Sequence, residues 1–255
     1  MRVEISSLAE RPDLEGLIWF PDTWPEFVKN DPAGNAYFGR IAEEFPAFTL
    51  AALDERGEVV GRGHSVPFAL RVPGRGALPA TGWDEVLRWA FTDRDHGARP
   101  DTVSAIDVTI RTDCLGQGLS GRLLDALRRN AAFLGFTELV APVRPSAKHH
   151  EPDTPMAEYA RRTRPDGLPA DAWLRTHVRA GGVIDSVAPA SMVVTGSLAQ
   201  WREWTGAPFT APGPTRVPGG LSPVRCVPDE GYAVYVEPNV WVRHRLAGLD
   251  TGVKV

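Results

Sequence analysis

The segment Leu115-Gly116-Gln117-Gly118-Leu119-Ser120-Gly121 holds the residue types whose spacing speaks most directly of chemistry. It follows the β-branched run Thr102–Ile110 (TVSAIDVTI) and opens a stretch with Leu119, Leu123, Leu124, Leu127, Ala131 and Leu134 on one helical face. Gly116 and Gly118 let the backbone turn sharply and approach a ligand closely. The helix behind them offers unpaired N–H groups and the positive end of its dipole, a setting for an anion such as a pyrophosphate. The plain alternative is an ordinary glycine-bearing turn between a strand and a helix. No Lys-Ser/Thr pair follows the glycines, so this is not a P-loop. Gly116, Gly118 and Gly121 meet the bare G-x-G-x-x-G pattern. However, the next strand, Thr137–Val143 (TELVAPV), runs into Arg-Pro rather than ending on an acid, and the motif lies after three strand signals instead of opening the fold.

Such a loop needs a scaffold, and the remaining pattern is that of an α/β chain. Strands are expected at Arg2–Ser6, Phe48–Leu53 and Val59–Leu70, the last two joined by a hairpin at Gly57. Tyr37, Ile41 and Phe45 predict one amphipathic helix over Ala36–Phe45, and Trp83–Phe91 predicts another. Strand, glycine turn, helix and strand from Thr102 to Val143 make a βαβ unit. Helices follow at Met156–Arg162, Ala170–Ala180 and Leu198–Trp204. A strand is expected at Ala190–Thr195, a loop over Thr205–Pro223, and two closing strands at Tyr232–Val236 and Val240–His244. No linker divides the sequence, so one elaborated domain over 1–255 is expected. With 43% hydrophobic and 24% charged residues the chain is globular rather than disordered. A net charge of −4 argues against a generic basic nucleic-acid binder. Cys114 and Cys226 form no CxxC or Cys/His metal spacing. The opening MRVEISSLAERPDLEG has neither a basic n-region nor an apolar h-region, and no apolar run reaches membrane-span length, so a cytoplasmic protein without a membrane partner is expected.

In position and sequence the glycine segment resembles the GNAT acetyltransferase superfamily, whose motif Q/R-x-x-G-x-G/A follows the fourth strand and starts a long helix. Leu115, Gly118 and Ser120 stand at its marked positions, with Leu115 in place of Gln/Arg and Ser120 in place of Gly/Ala. By order of elements the likeness runs from Phe48 to Gly182, with longer segments at Pro73–Asp101 and Arg144–Asp171. It implies an α/β fold with a GNAT-like mixed, partly splayed central sheet flanked by helices, with those insertions and a C-terminal extension. It also implies acyl transfer, with acetyl favoured, from a coenzyme A thioester to an amine of a small-molecule acceptor by direct attack. Acetyl-CoA or another acyl-CoA would be the cosubstrate, with no metal. The resemblance lays its pyrophosphate along Ile110, Leu115, Gly116, Gln117, Gly118, Leu119, Ser120 and Gly121, and its pantetheine arm beside Arg144, Ser146 and Lys148.

Amine acylation needs a base for the ammonium proton and an acid for the departing thiolate. The family often uses a carboxylate on the fourth strand, where Asp107 stands; an acid on an apolar strand is costly to bury unpaired. Tyr159 and His177 are the further catalytic candidates, the former because the family often protonates its thiolate from a tyrosine after the fifth strand. Each could instead be a residue of a short amphipathic helix. His64 and Ser65 are candidates for reaching the acceptor. Trp201, Trp204, Tyr235 and Trp241 are numerous for a loop-rich third, and Trp241 is the candidate for an acceptor-pocket wall or a homodimer contact, with core packing as the alternative. Two rivals keep the fold: a donor carried by an acyl carrier protein or an aminoacyl-tRNA, the one route to a nucleic-acid partner, and a non-catalytic member that binds an acyl ligand.

Overall fold

The computed structural model of the chain describes residues 1–22 and 24–248. Strand β1 (Glu4–Ser7) leads through a 3-10 turn at Pro12–Leu17 to the short helices α1 (Pro32–Tyr37) and α2 (Ile41–Glu44). The single helix expected over Ala36–Phe45 is therefore two pieces with a 3-10 turn at Phe38–Arg40 between them. Asp31 accepts a hydrogen bond from Gly34 N at 2.6 Å, and Pro32 takes the first helical position, so capping starts the helix earlier than apolar spacing suggests.

Next come β2 (Thr49–Leu53), β3 (Val59–Phe68), α3 (Gly82–Asp95) and β4 (Thr102–Ile110), the last with the bounds its β-branched run predicts. β1, β2, β3 and β4 pair antiparallel in that order. Helix α4 (Leu119–Phe133) then returns the chain to β5 (Glu138–Val143), parallel to β4. Gly61 and Gly63 lie under α4; a Cβ at Gly61 would come within 2.9 Å of Leu123, and one at Gly63 within 3.2 Å of Leu127. Small residues here let the helix settle on the sheet, and the intervening Arg62 and His64 take the opposite face.

β4 and β5 pair only at Val103–Leu139 and Ser104–Val140. Beyond that point they part. β4 stays with β3, whose register shifts between His64 and Ser65 so that Ile106 is the extra, bulged residue. β5 instead pairs with six residues of the last strand.

The remaining elements are α5 (Met156–Tyr159), α6 (Ala172–Arg179), β6 (Val183–Ser197), α7 (Leu198–Thr205), β7 (Gly213–Thr215), β8 (Val224–Val227) and β9 (Tyr232–Arg245). They complete a nine-stranded mixed sheet in the order β1-β2-β3-β4-β5-β9-β8-β7, with β6 on the other edge of β9. The two expected closing strands are one, because Pro238 sits opposite a bulge of β6 where its missing N–H breaks no ladder bond. β7 and β8 lie within and just after the expected loop; each is short and depends on pairing to its neighbour. Trp201, Tyr235 and Trp241 are wholly buried. Trp201 Nε1 donates to Ala233 O at 2.8 Å and Trp241 Nε1 to Pro79 O at 2.9 Å. Trp241 is therefore core, which corrects its expected place in an acceptor pocket or dimer contact. Among the described residues no helix is long and apolar enough to cross a membrane.

Candidate active site

Where β4 and β5 part, a cavity of about 1150 Å³ opens. Ala105 to Ile110 line one side and Ala141 to Arg144 the other. One end is formed by Leu115, Gly116, Gly118, Leu119 and Ser120 with Trp173 and Thr176 of α6. The other is walled by Trp19, Phe20, Trp24, Phe38 and Trp83. A volume above the usual range for a single-ligand site suits two substrates held together.

The glycine end presents an open helix N-terminus, a setting that suits an anion. Gly118 is the N-cap of α4 at φ +73° and supplies no side-chain cap, so the first-turn amides are left to a ligand. Gly116 has φ +77°, and a Cβ at either glycine would meet nothing within 4 Å, so the approach is open. These residues fit a coenzyme A pyrophosphate without a cationic side chain. Of the other expected contacts, Ile110 lines the cavity, Gly121 packs toward Thr176, and Gln117 does not line it.

The opposite face of β3 and β4 carries a buried polar cluster. Arg62 Nε donates to Asp107 Oδ2 at 2.9 Å, His64 Nδ1 lies 3.3 Å from that same oxygen, and Thr109 Oγ1 donates to Oδ1 at 2.6 Å. Arg62 also donates to Ile18 O at 3.1 Å and lies 3.6 Å from Asp22. Burial alone would raise the Asp107 pKa, but the His64 hydrogen bond, the Arg62 charge and Thr109 together hold it down at about 2. Asp107 is thus a fixed carboxylate with both oxygens occupied, better suited to orienting a neighbour than to accepting a proton at neutral pH. The bulge beside it is pinned by Trp83 Nε1, which donates to Ile106 O at 3.0 Å.

Arg144 lies at the end of β5 and lines the cavity, but its Nε is committed to both oxygens of buried Glu237 at 3.0 and 3.1 Å and its Nη2 to Gly219 O at 2.5 Å. Glu237 also accepts from Tyr235 OH at 2.8 Å and Asn239 Nδ2 at 3.1 Å. Ser146 lines the cavity and reaches Asp171 at 3.4 Å. Asp171 caps α6 through Trp173 N and Leu174 N, and it accepts from Tyr159 OH at 3.0 Å. Tyr159 is buried in that knot and does not line the cavity; burial and the Asp171 charge raise its pKa well above the usual phenol range. His177 borders the cavity, with Nδ1 3.0 Å from His244 Nε2; burial, His244 and Arg128 push its pKa down to about 3, so it stays neutral. Lys148 is buried, with Nζ donating to Glu151 O and Leu221 O. Ser65 donates to Phe48 O at 2.8 Å and does not line the cavity. The sequence reading missed Trp19, Asp22, Trp24, Arg62, Glu237 and Asn239. For Arg62 and Glu237 the signal was present, as charged residues alternating with small or apolar neighbours on strands.

No protein-family model matches the chain. It is 30% identical to the arginine N-acetyltransferase avaD of Aspergillus versicolor across 94% of this chain and 93% of that protein. Two solved structures share the fold: the loading GNATL domain of CurA from Lyngbya majuscula and the GphF GNAT-like decarboxylase in complex with isobutyryl-CoA. Their TM-scores are 0.58 and 0.56 at 18% and 16% identity, covering 96% of this chain and 98% and 100% of theirs. With the splayed strands and the uncapped glycine turn between them, this likeness makes the chain a divergent member of the GNAT superfamily of coenzyme A-dependent N-acyltransferases.

Proposed function

We propose that the protein transfers an acetyl group from acetyl-CoA to an amine nitrogen of arginine or a close arginine analogue. The observation that carries this is one continuous cavity running from the uncapped α4 terminus to an aromatic chamber of mixed charge. Asp22, Asp107 and Glu237 line it together with Lys29, Arg62 and Arg144. Balanced charges of both signs suit a zwitterion better than a simple cation, and tryptophan faces favour a guanidinium. The acceptor named for avaD supports the same class.

In this reading the α4 amides hold the pyrophosphate, and the gap between β4 and β5 takes the pantetheine arm. The aromatic walls exclude water and hold the amine against the thioester carbonyl for direct attack. Cys114 lines the cavity, but its thiol is pushed up by burial and by Asp113, which does not favour a thiolate nucleophile. The reading also places the enzyme in the cytoplasm, where acyl-CoA pools reside and free thiols such as buried Cys114 and Cys226 persist. The test is mass spectrometry of products from acetyl-CoA with arginine, agmatine, lysine and a neutral amine. A mono-acetylated arginine-type product with matching thiol release is expected. Turnover that ignores the guanidinium group would overturn the acceptor assignment.

A further inference from the structure

His64 sits on β3 directly opposite Asp107 on β4, and both side chains occupy the sheet face turned away from α4. Its Nδ1 is 3.3 Å from Asp107 Oδ2. Asp107 is also held by Arg62 and Thr109, so its position does not rest on His64 alone. With Nδ1–H given to the carboxylate, the imidazole carries its lone pair on Nε2. That Nε2 is buried and has no hydrogen-bond partner among the described residues, although a buried acceptor is costly to leave unmatched. His64 is fully buried and does not itself line the cavity, which corrects its expected direct place there; it lies behind two rings that do, Trp19, stacked at 5.8 Å, and Phe38, edge-on at 5.1 Å.

We propose that His64 is the general base of the acyl transfer, oriented by Asp107, and that the acceptor amine reaches Nε2 between the rings of Trp19 and Phe38. This rests on the N-acyltransferase reading above and adds to it the group that moves the proton. Nε2 takes one proton from the acceptor ammonium. The freed nitrogen lone pair forms the C–N bond to the thioester carbonyl carbon. The C–S bond breaks with its electron pair going to sulfur, the second nitrogen-bound proton ends on the thiolate, and the imidazolium returns its proton to solvent. The charged groups around the imidazole are Asp107 on β4, Arg62 on β3 and Asp22 in the segment before α1, which lies 3.6 Å from Arg62. Thr49 is its register partner on β2. One carboxylate touches the ring directly, and that arrangement stabilises the imidazolium as it forms.

The experiment compares wild type with His64→Asn, which can still donate to Asp107 but holds no base. The two acceptors match in shape: a primary amine and a hydrazide that is already unprotonated at neutral pH. Wild-type turnover of the amine tests the functional reading by itself. For the base, kcat with the amine should fall about 10²- to 10³-fold in the variant while the Kd for acetyl-CoA stays within about twofold. The loss with the hydrazide should be at least tenfold smaller. An equal loss with both acceptors, or an unchanged kcat, would overturn the proposal. Nitrogen-15 NMR of the wild-type imidazoles decides independently of whether the variant folds or any amine turns over. A bare Nε2 on His64 whose shift moves when arginine binds supports the proposal. A bare Nδ1, or an Nε2 indifferent to arginine, refutes it.

Discussion

Gly118→Asp separates the fold of the glycine turn from its ligand. Gly118 has φ +73°, a left-handed conformation that costs most side chains about 1–2 kcal/mol but is visited by Asp more readily than by most. A new Cβ meets nothing within 4 Å, so there is no clash to add. The residue is also the N-cap of α4 and currently makes no cap bond. An aspartate there gains about 1 kcal/mol by accepting from the first-turn amides. Strain and capping therefore nearly cancel, and Tm should move by only a few degrees. Binding should not survive so well. The new carboxylate takes the amides a pyrophosphate needs and repels the phosphate charge. Losing two charge-assisted hydrogen bonds at about 1.5 kcal/mol each gives about 3 kcal/mol, or about 100-fold in Kd. Calorimetry with acetyl-CoA and a thermal melt of the same sample measure both quantities. A folded variant with wild-type affinity would sink the pyrophosphate assignment.

Trp241→Ala should cost about 3–5 kcal/mol as a core truncation and leave the acceptor KM unchanged; a raised KM with little loss of Tm would return Trp241 to the pocket. Arg144→Met strands the buried Glu237 carboxylate and should cost about 3–5 kcal/mol, most of it recovered by adding Glu237→Gln. Denaturant melts of both single variants and the double variant check this, and strictly additive losses would contradict it. Asp84 is buried beside Asp31, and burial with the Asp31 charge pushes its pKa from 3.8 up to about 8. The folded state keeps a proton that the unfolded chain releases, so this stabilisation is complete below 3.8 and fades as pH rises toward about 8. Asp84→Asn should accordingly flatten the fall of Tm across that window, and a slope identical to wild type would contradict the buried acid pair.

The features that could be read from sequence are those set by neighbours along the chain. β-Branching over Thr102–Ile110 and the glycine turn into a leucine-faced helix gave the βαβ unit to within a residue at each end. Asp107 stood out because an acid interrupts an apolar strand. Its role did not, because that depends on Arg62, 45 residues away, and on a register only the folded sheet fixes. The same holds for Glu237, which meets Arg144 across 93 residues. Trp19 and Trp24 lie in a proline-broken segment with no periodicity, so nothing local marked them as cavity walls. Tyr159 was chosen for its place after the fifth strand, but the Asp171 cap of α6 draws its hydroxyl into the core.

The most direct test of the account is a single incubation of the purified protein with acetyl-CoA and arginine, followed by mass spectrometry of the acceptor and titration of free thiol. The account predicts N-acetylated arginine and coenzyme A in equal amounts, with little thiol released when arginine is omitted. Thiol release that does not depend on arginine, or acetyl-CoA bound and returned intact in its presence, would contradict it.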